Sequence, residues 1–321
     1  MKIEKHGNKY RVQKQIEGKR INLVFDHKPS QQEIFAALSE HDFSAPKGSF
    51  LSCAQSYIQS KSNVLSPSTI KGYTSVLNSS IPDAFKLKNI SQIEQQDIQL
   101  IINEYAKDHA PKSVRNLHGF ISAVLRQFRP NMSIHTTLPQ KVENERYTPS
   151  EDDIKKILDA SKEDPFYHIP FQLGVMGLRR SEICALTLDD IDGNTLTINK
   201  ALVSDKDNNW VVKTTKTVAG TRKIYIPDSL ISEIARYGKI YEGYPNTILL
   251  GLQAYQDKLG IQRFRFHDLR HFFASFAHAN GISDADIMAS GGWKSTYTMQ
   301  KIYRHSMNAE QSQRKIFDQL L

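Results

Sequence analysis

The sequence predicts a mainly α-helical, multi-domain protein with small β elements. Its parts are an N-terminal three-stranded β-sheet plus helix, a helical middle, and a mixed α/β C-terminal unit. Three observations carry this. Residues 1–28 alternate like short strands between turn signals; residues 50–130 place apolar side chains at helical spacing; and from residue 147 helical periodicity is broken by short strand-like runs. A chain of 321 residues suits two or three domains, and the boundaries expected are 1–45, 46–140 and 147–321.

In the first part, Gly7-Asn8 and Glu17-Gly18 separate strands expected at 3–6, 10–16 and 20–25. Pro29-Ser30 then opens a helix, with Ser30 as N-cap and Glu33 as its capping-box partner. Ile34, Ala37 and Leu38 form its apolar stripe. A sheet this small needs that helix over one face, which leaves the other face free. Residues 44–49, with Pro46 and Gly48, read as a linker.

In the middle part, Ser66-Pro67 is an N-cap followed by proline at the first helical position, with Ile70, Tyr73, Val76 and Leu77 after it. Over residues 114–128, Val114, Leu117, Ile121, Val124, Leu125 and Phe128 share one helical face, with Lys112, Arg115, Arg126 and Arg129 on or beside the polar one. Residues 131–144 read as a second linker. At Thr148-Pro149-Ser150-Glu151 a new helix is expected, with Thr148 as cap and Glu151 closing the capping box. Residues 195–199, 210–213 and 222–227 then alternate like one small sheet.

Composition narrows the function classes. With 39% hydrophobic and 24% charged residues the chain reads as globular rather than disordered. No apolar run approaches the roughly 20 residues needed to span a bilayer, and Met1–Lys5 lacks a signal-peptide core; a cytosolic location and no membrane partner are expected. Cys53 and Cys184 stand far apart, which argues against a disulfide framework or a cysteine zinc site. The net charge of +8 points to an acidic partner, nucleic acid above all. In residues 1–28, eight basic side chains against Glu4, Glu17 and Asp26 leave +5. Lys9, Arg11, Lys14, Lys19 and Arg20 are the candidate phosphate contacts there, with Lys71, Lys112 and Arg115 in the helical part.

Four stretches of the last unit carry chemistry: Gly177-Leu178-Arg179-Arg180-Ser181-Glu182; Lys213 to Thr217 with Gly220-Thr221-Arg222; His267-Asp268-Leu269-Arg270-His271; and Gly291-Gly292-Trp293 with Tyr303-Arg304-His305 ten positions on. Breaking a DNA strand without a metal needs a nucleophile, cations for the non-bridging oxygens, and an acid for the leaving oxygen. Arginine's planar, permanently charged fork suits phosphate. Lysine or histidine suits the acid role. Tyrosine serves as nucleophile where cations or a base lower its barrier. Each stretch alone has a plainer explanation, as a salt bridge, a core histidine, a solvated lysine or a packing tryptophan. Their order and combination resemble the tyrosine recombinases, the phage-type integrases, and the resemblance covers nearly the whole chain.

That resemblance implies an arm-type DNA-binding domain, a core-binding domain and a catalytic domain, in that order. It implies that Arg179 and Arg270 hold the scissile phosphate, Lys216 protonates the departing 5′ oxygen, His267 assists proton transfer, Trp293 donates to phosphate, and Tyr303 attacks to form a 3′-phosphotyrosyl bond, with Glu182 orienting the site. Neither cofactor nor metal is implied. The partners implied are double-stranded DNA at core-type and arm-type attachment sites, a homo-tetramer on that DNA, and accessory bending or directionality factors. Tyr297 is the rival nucleophile and Lys213 the rival lysine; His271 is left as structural or DNA-contacting. The spacing from Trp293 to Tyr303 is one longer than the family's. Residues 306–321 suggest an amphipathic helix that docks on its own domain or on a neighbouring protomer. A non-catalytic DNA-binding protein of the same fold and a type IB topoisomerase are the competing readings.

Overall fold

The computed structural model describes residues 2–7, 9–16, 19–30, 33–34, 46–140, 147–214 and 221–304. The chain divides into two compact units, one of Met1–Val64 with Tyr73–Lys141 and one of Leu65–Gly72 with Val142–Leu321. No helix among the described residues is long and apolar enough to cross a membrane.

The first unit opens with the expected meander. Strands β1 (Lys2–His6), β2 (Lys9–Ile16) and β3 (Lys19–Phe25) pair antiparallel in sequence order, with His6 opposite Lys9 and Ile16 opposite Lys19. Val12, Leu23 and Ile34 form its small core. Ser30 and Glu33 cap each other as expected: the Glu33 amide donates to Ser30 Oγ at 3.2 Å and the Ser30 amide to Glu33 Oε2 at 2.8 Å. Ala37 and Leu38 lie outside the described residues.

The rest of this unit is helical: α1 (Phe50–Lys61), α2 (Pro67–Ser79), α3 (Asp83–Leu87), α4 (Gln95–Ala106) and α5 (Pro111–Phe128). Helix α2 runs across the boundary between the two units. Ser66 caps it by accepting from the Thr69 amide at 3.2 Å. In α5 the residues Val114, Leu117, Ile121, Val124 and Leu125 are buried at helical spacing, and Phe120 joins them. Phe128 does not: it is 37% exposed, because it is the last helical residue and extends past the covered stripe. The stretch after α5 forms neither helix nor strand up to residue 140, yet it is anchored. Gln95 and Gln99 exchange hydrogen bonds with the backbone at 135 and 137, and Arg115 Nη2 donates to the Pro139 carbonyl at 2.6 Å.

The second unit contains α6 (Glu151–Ser161), α7 (Pro165–Val175), α8 (Arg180–Ile183), strands β4 (Ile191–Asp192), β5 (Thr195–Ile198), β6 (Lys200–Ser204), β7 (Trp210–Thr214) and β8 (Arg222–Tyr225), then α9 (Asp228–Tyr237), α10 (Pro245–Leu259), α11 (Phe266–Ala279), α12 (Asp284–Gly291) and α13 (Thr296–Arg304). Two expectations are corrected. Helix α6 starts later than Thr148-Pro149 suggested: Ser150 is its cap and Asp153 the capping-box partner, because Ser150 with its acid three residues on satisfies the first amides reciprocally. The strand-like runs do not make one sheet. β4, β5 and β8 form one sheet, while β6 and β7 form a separate hairpin, with Lys200 opposite Thr214. The chain leaves the first sheet after Ile198, and its next strand turns back at Asp205, whose carboxylate accepts from the amides of Asp207 and Asn209.

The large core of this unit joins α6, α7, α9, α10 and α11 to β5 and β8, through residues such as Ile157, Phe171, Leu196, Ile226, Leu252 and Phe266. Gly174 sets the α7–α11 crossing, since a Cβ there would lie 2.5 Å from the Phe266 ring and 2.9 Å from Leu269. A satellite cluster of Ala274, Ile287 and Met299, with Phe273 and Trp293 against it, holds α11, α12 and α13 together. These two cores fix the elements that carry the candidate site.

Candidate active site

Arg179 stands where the chain leaves α7 and starts α8. The turn needs Gly177, whose φ is +93° and whose missing Cβ would meet the Phe273 ring at 3.0 Å. Leu178 is buried in the core, so the turn is held there. Arg179 is the N-cap of α8. Its amide donates to Glu182 Oε2 at 2.8 Å, its Nη1 to Glu182 Oε1 at 2.5 Å and its Nη2 to the Gly292 carbonyl at 3.3 Å.

Glu182 is buried and receives a second arginine. Arg222 at the start of β8 donates from Nη2 to Oε2 at 2.8 Å and from Nη1 to Oε1 at 3.1 Å. Burial pushes the Glu182 carboxyl up, but the bonds and charges of Arg222 and then Arg179 outweigh it and hold the group at about 2.

Helix α11 carries the next pair. Arg265 caps it with its amide on Asp268 Oδ2 at 2.8 Å and its Nη2 on Oδ1 at 2.6 Å. Phe266 and Leu269 face the core, and His267 and Arg270 share a side at i,i+3. Arg270 is 1% exposed, and its Nη1 donates to the Gly177 carbonyl at 2.6 Å. Its Nε and Nη2 are buried with no hydrogen-bond partner. Burial first, and the charge of Arg179 next, push its guanidinium down to about 9. An unpartnered buried donor is costly, and a buried charge more so; this site holds three arginines for one carboxylate. The arrangement is short of an anion.

Trp293 forms the shelf beneath Arg270, whose guanidinium carbon lies 3.7 Å from the indole centroid. Gly292 ends α12 in the left-handed conformation at φ +68°. At Gly291 a Cβ would come within 1.7 Å of the indole, so a glycine is what lets the ring fold back over the helix end. Beside it lies an open depression of about 390 Å³, lined by Thr221, Arg222, Lys223, Met288, Ala289, Ser290, Gly292 and Trp293.

His267 is exposed, with its ring edge-to-face against His271 at 4.9 Å, and His271 Nδ1 is 3.7 Å from Asp268 Oδ1. Burial and then the positive charges of His271, Arg270, Arg179 and Arg265 push the His267 imidazole down to about 4. Among the described residues no three His, Cys, Asp or Glu side chains come together as a metal site.

The structure therefore brings Arg179, Glu182, His267, Arg270 and Trp293 into one cluster. Tyr303 falls in α13, within the part of that helix whose side chains lie outside the described residues; Lys216 lies outside them altogether. Tyr297, also in α13, is 72% exposed. Lys213 lies in β7 opposite Ala201. Of the candidate phosphate contacts, Arg11 and Lys112 are exposed and Lys9 lies 3.6 Å from Asp26. Lys71 donates to Ser204 Oγ at 2.6 Å and Asn208 Oδ1 at 2.7 Å, and Arg115 is tied to Pro139. The side chains of Lys14, Lys19 and Arg20 are not among those described. Sequence reasoning missed Arg222 as a site residue; its signal was an arginine two residues after Gly220, at the head of the alternating run that leads to Ile226-Pro227.

Comparison with known proteins fits this geometry. Residues 149–310 match the model of the phage integrase family, and residues 49–106 that of the phage integrase N-terminal SAM-like domain. A search of curated protein sequences finds no match. Among solved structures, the Tn1549 transposon integrase in complex with a circular intermediate DNA is 15% identical, with a TM-score of 0.67 over 85% of this chain and 99% of that one. A lambda integrase tetramer bound to a Holliday junction is 19% identical, with a TM-score of 0.60 over 92% of each chain. At these identities the likeness establishes the fold.

Proposed function

The chain belongs to the phage integrase family, the tyrosine-type site-specific recombinases, and from that premise we propose that it integrates or excises a mobile element, such as a prophage or conjugative transposon, by cutting and rejoining DNA through a 3′-phosphotyrosyl intermediate. The observation that carries the proposal is Arg270, buried on Trp293 with two N–H groups unsatisfied and a second arginine beside it. A phosphate between Arg179 and Arg270 would supply the missing acceptors and the missing negative charge.

In the proposed step the Tyr303 phenolic oxygen attacks phosphorus. A bond forms from that oxygen to phosphorus as the bond to the 5′ oxygen breaks, and the phenol's proton passes to a nearby base. Arg179 and Arg270 stabilise the charge on the non-bridging oxygens, and Trp293 donates to one of them. Lys216 delivers a proton to the 5′ oxygen. His267, neutral in the free protein at pH 7, accepts or donates a proton beside it. Reversal with a new 5′ hydroxyl rejoins the strand, so the phosphodiester energy is kept and no ATP is consumed. The Tyr303-Arg304-His305 ending supports Tyr303 over Tyr297, and the tie of Glu182 to Arg179 supports its orienting role.

The assembly proposed is a homo-tetramer on two double-stranded DNA sites in the cytoplasm, with accessory bending or directionality factors. Residues 1–45 would bind arm-type sites, residues 46–140 core-type sites, and residues 147–321 would do the chemistry. The family matches at 49–106 and 149–310 support the last two, and the tetramer reported for lambda integrase supports the assembly. Recombination between two plasmid-borne copies of the element's joined ends, with chelator and without ATP, tests this. Recombinant product is the expected result. DNA binding without product would favour a non-catalytic DNA-binding protein, and relaxation of plasmids lacking any such site would favour a topoisomerase.

A further inference from the structure

Arg222 has no part in the chemistry above, yet it is buried at the centre of the site. Its Nε donates to the Ser290 carbonyl at 2.8 Å, while Nη1 and Nη2 grip both oxygens of Glu182 at 3.1 and 2.8 Å. One planar fork thus ties three pieces together: the start of β8, the first turn of α8, and the end of α12. Each piece carries a phosphate-site group. Glu182 aims Arg179, Ser290 leads into the turn that presents Trp293 to Arg270, and β8 follows the segment that holds Lys216. The fit is close, because a Cβ on Gly292 would lie 3.1 Å from Arg222 Nη1.

We infer that Arg222 is a positioning residue: it holds Glu182 away from the phosphate-binding arginines' free donors and sets the α12 turn against them. The inference rests on reading this site as the one that cleaves DNA. The charged groups facing Glu182 are Arg179 from its own turn, Arg222 from β8 and Arg270 from α11. Remove Arg222 and the buried carboxylate loses its bidentate partner. It then either takes up a proton or swings toward Arg270, whose open N–H groups it would fill in place of phosphate. Lysine does not repair this, since a point charge cannot span the Ser290 carbonyl and both carboxylate oxygens.

The test compares the full-length wild type, Arg222→Ala and Arg222→Lys. It measures DNA affinity, unfolding midpoint and the single-turnover rate of covalent adduct formation on nicked DNA at saturating protein, from pH 5 to 9. Arg222→Ala should form adduct about 100-fold more slowly, the scale of a misplacement near 1 Å, with its affinity for DNA within about threefold of wild type. Added guanidinium ion should speed that variant at least about tenfold and leave the wild type unchanged, and its rate should fall further on the acid side as Glu182 takes up a proton. Arg222→Lys should stay slow although it keeps the charge. A rate within about threefold of wild type for both variants overturns the inference, as does a slow Arg222→Ala with a wild-type pH profile and no guanidinium rescue. If the alanine variant does not fold, Arg222→Lys decides: slow cleavage at wild-type affinity and midpoint supports the inference, and wild-type cleavage overturns it. Absence of adduct with the wild type would remove the phosphotyrosyl reading and this inference together, so the two failures are told apart.

Discussion

Arg270 concentrates the physics of the site in one side chain. It is the most voluminous of the side chains less than 2% exposed, and burial together with Arg179 works against its charge. Such a residue is stable where an anion completes it. Replacing Arg270 with Lys removes the fork and should lower the rate of adduct formation by at least about 100-fold, with DNA affinity much less changed; single-turnover cleavage beside a binding titration checks both. His267 offers a second reading of the same field. In the free protein its imidazole should titrate near pH 4, because burial and then the surrounding cations disfavour the protonated form. A bound phosphate cancels part of that field and should move the titration upward. Histidine NMR signals followed from pH 3 to 8, with and without site DNA, measure the shift, and an unmoved value on binding would place phosphate elsewhere. Glu182 sets the pH limit of the cluster. Its folded value of about 2 lies below its ordinary 4.5, so its contribution to stability is full above pH 4.5 and is lost as the pH falls toward 2.

At the scale of elements, the helix ends do the positioning. Three glycines make it possible: Gly174 at the α7–α11 crossing, Gly177 before Arg179, and Gly291 under Trp293. Gly174→Ala should destabilise the second unit by roughly 1–3 kcal/mol, because its Cβ meets the Phe266 ring at 2.5 Å and the core must shift. The midpoint of urea unfolding measures this, and an unchanged midpoint would mean that the crossing has slack. The sequence made the helical elements legible because an amphipathic stripe such as that of α5 is a local pattern. Strand partnership was less legible: β7 pairs with Lys200–Ser204, a strand with no alternating burial, and nothing local marks that choice. The cluster of Arg179, Glu182, His267, Arg270 and Trp293 was readable from motif order, since phosphate chemistry constrains which residue types occur together. Arg222 was not, because its role depends on three contacts brought together only by the fold.

At the scale of the whole molecule, positive charge is distributed unevenly and only part of it is free to meet DNA. Arg11 and Lys112 are exposed and Lys9 lies near Asp26, whereas Arg115 and Lys71 are engaged by hydrogen bonds within the protein. Affinity for DNA should therefore fall steeply with salt. Arg11→Ala should reduce the slope of log affinity against log salt by about one, while Arg115→Ala should lower the unfolding midpoint and leave the slope nearly intact. Equal effects of the two substitutions on the slope would contradict this division.

The proposed chemistry turns on Tyr303 forming a covalent bond to DNA. Its most direct test is to incubate wild type and Tyr303→Phe with labelled DNA from the element's own end, nicked so that cleavage cannot reverse. An SDS-resistant protein–DNA adduct is expected with the wild type and none with the variant. An adduct that survives Tyr303→Phe would contradict it and point to Tyr297, and a wild type that binds the DNA without forming any adduct would contradict the enzymatic reading itself.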